Sequence, residues 1–174
     1  MMLALDSVSL DPRLAGACAL ALALAAGSAA VAAGPPQIGA SAPAATLTLA
    51  KGGDLSLASL RGRAVYLNFF ASWCGPCNEE APSIAKLART FGPKGLVTVG
   101  VDEQESDAKA LGFAKKYDLP YAIAEDSGSV AAAYGVSFGL PVHVFIDRRG
   151  KLSTYRVGEM QPQEIQAAIE RALR

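Results

Sequence analysis

Val65-Tyr66-Leu67-Asn68-Phe69-Phe70-Ala71-Ser72-Trp73-Cys74-Gly75-Pro76-Cys77 is the stretch that decides the fold. Its first six residues form a largely apolar run, suited to a strand buried on both faces. The cysteines follow where a helix begins, because Ala81, Ile84, Leu87, Ala88 and Phe91 recur behind them at helical spacing. Two intervening residues let one helical turn bring both sulfurs within disulfide reach, and the strand before them is expected to leave Cys74 near the exposed rim. The thiolate is the form that attacks a disulfide. A cysteine at a helix start meets unpaired N–H groups and the positive end of the helix dipole, which lower a thiol pKa from its ordinary ~8.5. Cys74 is therefore the expected nucleophile, and Cys77, one turn further in, the resolving thiol.

The same spacing also supplies half of a zinc site. Zinc takes four ligands, however, and beyond its N-terminal segment the chain offers only Cys74, Cys77 and His143 besides carboxylates. A purely structural bridge is the other reading, but closing a two-residue loop constrains little chain entropy and makes a poor staple. Redox chemistry accounts for the spacing best.

Length and charge set the frame. The 174 residues carry 16 Lys/Arg against 16 Asp/Glu, enough chain for one domain plus a processing segment and no charge excess that would call for nucleic acid. From residue 14 to residue 34 there is no charged side chain, and Ala, Leu and Gly dominate. Residues 1–34 thus read as a signal peptide or a membrane anchor, ahead of one domain over 35–174. Small residues at Ala30, Ala32 and Ala33 offer cleavage patterns that favour removal, while Arg13, opposed by Asp6 and Asp11, specifies orientation weakly. Either way the domain is expected in a periplasmic or other extracytoplasmic compartment, where disulfides persist. The basic cluster Arg148-Arg149-Gly150-Lys151 reads as a solvated hairpin tip.

Around the central stretch the pattern predicts strands at 46–49 and 55–57 joined by a turn at 51–54, and a second buried strand at 96–101 that completes a right-handed βαβ unit. Ala110, Phe113, Ala114 and Tyr117 mark another helix, followed by a strand at 121–124 and a short helix at 129–134. Residues 142–146 and 152–157 form a hairpin. A last helix starts near Pro162 and aligns Ile165, Ala168, Ile169, Ala172 and Leu173. Pro82 should kink the helix after the cysteines.

With this order of elements around Trp73-Cys74-Gly75-Pro76-Cys77, the chain resembles the thioredoxin-like family and, within it, the exported TlpA/ResA-type thiol-disulfide oxidoreductases of the redoxin, AhpC/TSA-related superfamily. The resemblance spans nearly all of 37–174. It rests on the Trp-Cys-Gly-Pro-Cys motif, Pro82 five residues past the second Cys, Gly139-Leu140-Pro141 before a strand, and the Asp147-Arg148-Arg149-Gly150 turn. The N-terminal hairpin and the residues inserted between 118 and 135 favour the exported branch. The resemblance implies an α/β, thioredoxin-like fold, a central mixed sheet flanked by helices with an N-terminal β-hairpin and an inserted βα segment. It implies a cis bond before Pro141, with that proline against the cysteine pair, Leu140 offering backbone groups to an extended substrate, and Trp73, Gly75 and Pro76 completing the substrate-binding surface. It implies a monomer without a cofactor that reduces disulfides of specific exported proteins, such as the haem-attachment cysteines of apocytochrome c or thiols at copper sites, with electrons from a membrane thiol reductant. Two alternatives stay open. A thiol peroxidase of the related branch would carry Thr or Ser three residues before the reactive Cys, where this chain has Ala71, and a metal-handling or chaperone-like binding module would need no redox cycle.

Thioredoxin-type patterns also place a buried acid six residues before the first Cys. Asn68 stands there and cannot exchange a proton. Of the acids that could replace it, Glu79 and Glu80 lie in the first helical turns, where the helix dipole alone accounts for them. Glu105 follows the second buried strand, in the segment where ResA-like proteins carry an active-site Glu, and parallel strands bring that end beside the cysteines. Glu105 is thus expected to be partly buried near Cys77 with a raised pKa, a helix-capping or solvated acid being the alternative. His143, two residues after Pro141 where the family often has Thr, reads as a partly buried strand histidine.

Overall fold

The computed structural model describes residues 36–174 apart from 104 and 138. The segment 1–34, read as a signal or anchor, lies outside the described residues, as does Pro35. The strands are β1 (Thr46–Leu49), β2 (Asp54–Ser56), β3 (Ala64–Phe70), β4 (Leu96–Glu103), β5 (Ala122–Asp126), β6 (Val142–Ile146) and β7 (Leu152–Val157), and the helices α1 (Gly75–Phe91), α2 (Asp107–Lys116), α3 (Ser129–Ala133) and α4 (Pro162–Leu173). They build one mixed sheet in the order β2-β1-β5-β4-β3-β6-β7, the α/β, thioredoxin-like arrangement.

Every residue of β3 is buried. It pairs parallel with β4, from Ala64 opposite Leu96 to Phe70 opposite Asp102, and antiparallel with β6. A strand with partners on both edges and layers over both faces has no solvent side, so its sequence is continuously apolar instead of alternating. β5 extends the parallel part, the β1–β2 hairpin lies antiparallel beyond it, and β7 closes the opposite edge.

The two-residue period of β3 sorts its side chains between two layers. Val65, Leu67 and Phe69 meet Leu47, Val99, Val144 and Val130 of α3. Tyr66 meets Ile84, Leu87 and Phe91 of α1, Phe145, and Ile165 and Ile169 of α4. Phe70 packs with Ala81, Ile123, Ala110 and Phe113 of α2, and the two cysteines. Each such large side chain contributes about 1.5–3 kcal/mol by leaving water, so the redox pair rests on a packed platform.

Three details differ from the sequence reading. Leu57, expected to continue β2, opens a short 3-10 turn over Leu57–Leu60 because Thr46, the first residue of β1, is already paired with Ser56. Helix α1 extends past Pro82 to Phe91, longer than a break at the proline would allow, although the proline ring removes the bond to the Asn78 carbonyl. β4 runs to Glu103 and carries Asp102 into the sheet, both beyond the apolar run.

Gly100 in β4 marks the tightest point of this packing. A Cβ there would sit 2.9 Å from Ile123 Cδ1 and 3.0 Å from the Phe70 ring. Gly100→Ala should therefore lower unfolding stability by about 1–3 kcal/mol through overpacking, read as a lower urea midpoint at constant m-value. An unchanged midpoint would show that Phe70 and Ile123 yield freely.

Candidate active site

Cys74 and Cys77 are joined as a disulfide at the N-terminus of α1, with Cα atoms 5.3 Å apart. Cys74 is the N-cap residue, and its Sγ accepts the backbone N–H of Cys77 at 3.2 Å. The sulfur thus occupies the place where a capping oxygen ordinarily satisfies the first turn, and the same donor and the helix dipole favour a thiolate there once the bond is reduced. Pro76 sits in the first turn, where its missing N–H costs nothing. The expected exposure of Cys74 needs correction: the two residues are only 5% and 3% exposed. Both belong to the buried cluster that includes Phe70 and Ala81, while the neighbouring Trp73 is 71% exposed.

The Leu140–Pro141 peptide is cis. Leu140 packs against the cluster that holds both cysteines, and Pro141 is buried at the start of β6, its carbonyl accepting Gly158 N–H at 2.8 Å. Trp73, Glu103, Val136, Ser137, Gly139 and Leu140 line an open groove beside the disulfide. Gly75 and Pro76, between the cysteines, are exposed.

The acids divide into two kinds. Glu105 accepts the Ser72 N–H at 2.5 Å and the Ser72 hydroxyl at 2.8 Å, with Lys109 at 3.7 Å. Burial works against its charge, but these donors outweigh it and hold the carboxyl below its ordinary range. The expectation of a raised pKa for Glu105 is thereby overturned. Its side chain is buried, as expected, yet it arrives in a pocket of donors. Asp102 behaves in the opposite way. It lies opposite Phe70 in the β3–β4 register, hence on the sheet face that carries the cysteine cluster. Burial, and then the nearby charge of Glu105, push it up to about 7 even though its Oδ2 accepts Glu105 N–H at 3.2 Å. Glu103, facing the groove, is raised to about 7 as well, by burial and then by Asp126, its partner across the β4–β5 pair.

Glu79 is exposed, whereas Glu80 is 4% exposed, three residues after Cys77 on the inner face of α1. One Glu80 oxygen accepts Met160 N–H, and the other faces His143 Nε2 at 3.5 Å. His143 is fully buried rather than partly so, with Nδ1 2.8 Å from the Tyr66 hydroxyl. Burial keeps the Tyr66 phenol protonated by raising its pKa. Tyr66, His143 and Glu80 thus lie in one buried line of polar contacts, with Nε2 of the ring facing Glu80. Sequence reasoning missed this chain of contacts because its members come from β3, β6 and α1. The available signal was two polar side chains, Tyr66 and His143, inside apolar runs of adjacent strands.

Comparison with known proteins agrees with this geometry. The sequence model of the AhpC/TSA family matches residues 38–155. The thiol-disulfide oxidoreductase ResA of Bacillus cereus is 32% identical over 136 residues, which cover 78% of each chain. Among solved structures, a thiol:disulfide interchange protein of the thioredoxin family from Chlorobium tepidum superimposes with a TM-score of 0.72 at 26% identity, covering 79% of this chain and 99% of that one. A secreted Mycobacterium tuberculosis disulfide oxidoreductase homologous to E. coli DsbE gives 0.66 at 28% identity, covering 72% and 94%.

The raised acids imply a definite pH dependence. Asp102 and Glu103 ionise near 4 in an unfolded chain and near 7 in the folded protein, so between those values the unfolded chain has shed protons that the folded one keeps. Their contribution is fully present below about pH 4 and is lost as pH rises through about 7. Asp102→Asn removes one titration and retains an oxygen for Glu105 N–H. Urea midpoints measured from about pH 5 to 8 should fall less steeply for this variant than for the parent; parallel curves would place the titration elsewhere.

Proposed function

The chain belongs to the AhpC/TSA family and, within it, to the ResA-type thiol-disulfide oxidoreductases, and on that premise we propose that it reduces disulfides of specific exported proteins through Cys74 and Cys77. The observation that carries this reading is the capping bond from Cys77 N–H to Cys74 Sγ, which prepares Cys74 to be the thiolate. In the reduced protein, Cys74 Sγ attacks a substrate sulfur, and the substrate's other sulfur leaves as a thiolate. Cys77 then attacks Cys74 Sγ, the substrate is released with its second thiol free, and the protein is left as the disulfide described above. Two electrons pass to the substrate, and a membrane thiol reductant of the extracytoplasmic face returns them.

The surrounding residues have proposed roles that follow from their positions. Trp73, Gly75, Pro76 and Leu140 form the surface against which an extended substrate segment lies, and Pro141 shapes the backbone beside it. Asp102 takes the proton from Cys77 as that thiol becomes the second nucleophile, since a carboxyl near 7 exchanges protons at neutral pH. Glu105 acts as a positioning residue, a charged acceptor that anchors Ser72 two residues before Cys74. The domain is placed in an extracytoplasmic compartment by residues 14–34, as a cleaved signal or a retained anchor, with residues 35–174 forming the working domain as a monomer. Haem-attachment cysteines of apocytochrome c and thiols at copper sites are the substrate classes that the family resemblance suggests.

Cys77→Ser should accumulate mixed disulfides joined through Cys74, whereas Cys74→Ser should trap nothing and lower disulfide exchange by roughly 1,000-fold or more, as loss of a nucleophile does. Mass spectrometry of the trapped species names the substrates. Trapping by Cys74→Ser alone would reverse the roles.

Export is tested separately. A reporter that works only outside the cytoplasm, fused after residue 174, should be active when expressed with the full chain. A reporter active only in its cytoplasmic version would remove both the location and the substrate classes.

A further inference from the structure

The end of the sheet opposite the cysteines gathers a charge that the sequence scatters. Arg61 and Arg63 precede β3, Lys94 precedes β4, Arg148, Arg149 and Lys151 turn between β6 and β7, and Arg171 and Arg174 end α4. All eight side chains are exposed. They form one surface, knit by bonds to backbone carbonyls. Arg61 reaches the Arg149 carbonyl, Arg148 reaches Leu173 O at 2.9 Å and Lys94 O at 3.0 Å, and Arg63 reaches Leu96 O at 3.2 Å.

Carbonyls orient these cations without neutralising them. Asp147 and Glu170 are the carboxylates next to these cations in the chain. Asp147 is bound by Arg149 and by the N–H groups of Arg149 and Lys151, and Glu170 accepts from Gln166. The other pole gathers acids, with Asp102 and Glu103 ending β4, Glu125 and Asp126 ending β5, and Glu105 and Glu159 just past β4 and β7. The seven residues of β3 separate the poles by roughly 20 Å.

We propose that the basic pole is a docking surface for anionic phospholipid headgroups, seating the domain on a membrane with the Cys74–Cys77 disulfide facing away from it. Eight cations on one exposed face suit a sheet of phosphates, because each Lys or Arg near such a surface adds about fivefold to the affinity. The described chain also starts here. Gly39 N–H donates to Leu152 O at 2.8 Å, and Ile38, 59% exposed, lines a hollow with Arg148, Arg149, Lys151, Arg171 and Arg174. The exposed apolar Ile38 gives this face a group that enters the headgroup layer beside the charges. In sequence, the uncharged stretch 14–34 ends just before this point.

The surface makes no use of the dithiol, so it stands or falls apart from the redox reading. The test uses the full chain with vesicles of phosphatidylcholine alone or mixed with phosphatidylglycerol, and reads the ratio of bound protein between the two. The 14–34 stretch is common to all variants and both vesicles, so the ratio isolates charge. The parent chain should prefer the anionic vesicles, and the preference should shrink with added salt. The triple variant Arg149→Gln, Lys151→Gln, Arg174→Gln, which spares the carbonyl-bound Arg61 and Arg148, should lose the preference by about tenfold or more. Its exchange rate with a soluble disulfide should equal that of the parent. Lys86→Gln, Lys116→Gln, Arg156→Gln changes the net charge equally at exposed positions away from this pole and should keep the preference. Equal binding to both vesicles, equal losses in the two triple variants, or displacement by millimolar inorganic phosphate at fixed ionic strength would each overturn the proposal, the last by making this a phosphate site.

Discussion

The complete burial of β3 is the constraint from which the rest of the molecule follows. A strand with partners on both edges and a layer on each face must be apolar throughout, and it can meet water only at its ends. The chain leaves the C-terminal end at Ala71 and starts α1 four residues later, at Gly75. The helix N-terminus, with its unpaired N–H groups, is therefore held at the sheet rim by the most firmly packed element in the protein. Cys74 takes the capping position there. Its reactivity as a thiolate would come from backbone that the core fixes in place, and no neighbouring side chain is needed to supply the charge.

What the sequence made legible was what sequence periodicity encodes. The run 65–70, the spacing of Ala81, Ile84 and Leu87, the β6–β7 hairpin and the stripe on α4 each repeat with the period of one element, and each appears where the pattern puts it. The length of β4 was underread because Asp102 and Glu103 are polar, yet they keep pairing with Phe70, Glu125 and Asp126 across the sheet. The Glu80, His143 and Tyr66 contacts depend on three elements meeting in space. No one-dimensional pattern reports such a meeting.

The charge pattern shows the same limit. Residues 148–151 looked like an ordinary solvated turn, and the nearly neutral total charge discouraged any electrostatic reading. Antiparallel β6 and parallel β3, β4 and β7 then place every strand start at 64, 96 and 152, and the strand end at 146, on one side. Basic residues at those four points add up to a pole, and the acids at the opposite strand ends do likewise. Net charge measures the sum of such a distribution; a surface responds to its separation.

The correction to Glu105 shows how neighbouring acids divide their work. Burial alone would raise both Glu105 and Asp102. The Ser72 donors hold Glu105 ionised, and its negative charge then adds to the burial that lifts Asp102. One acid becomes a fixed anion that ties the loop before Cys74 to the end of β4, and the other becomes a group that can hold or release a proton near neutral pH. Pairs whose surroundings drive their pKa values apart are how a site obtains an anchor and a proton carrier from the same chemical group. With Asn68 at the position where thioredoxin-type chains bury an acid, the function of that acid passes, in the proposed mechanism, one strand over. Asp102 lies on the next strand, on the same sheet face as Asn68 and Phe70. The exchange leaves β3 free of a carboxylate, which the burial of its whole length favours.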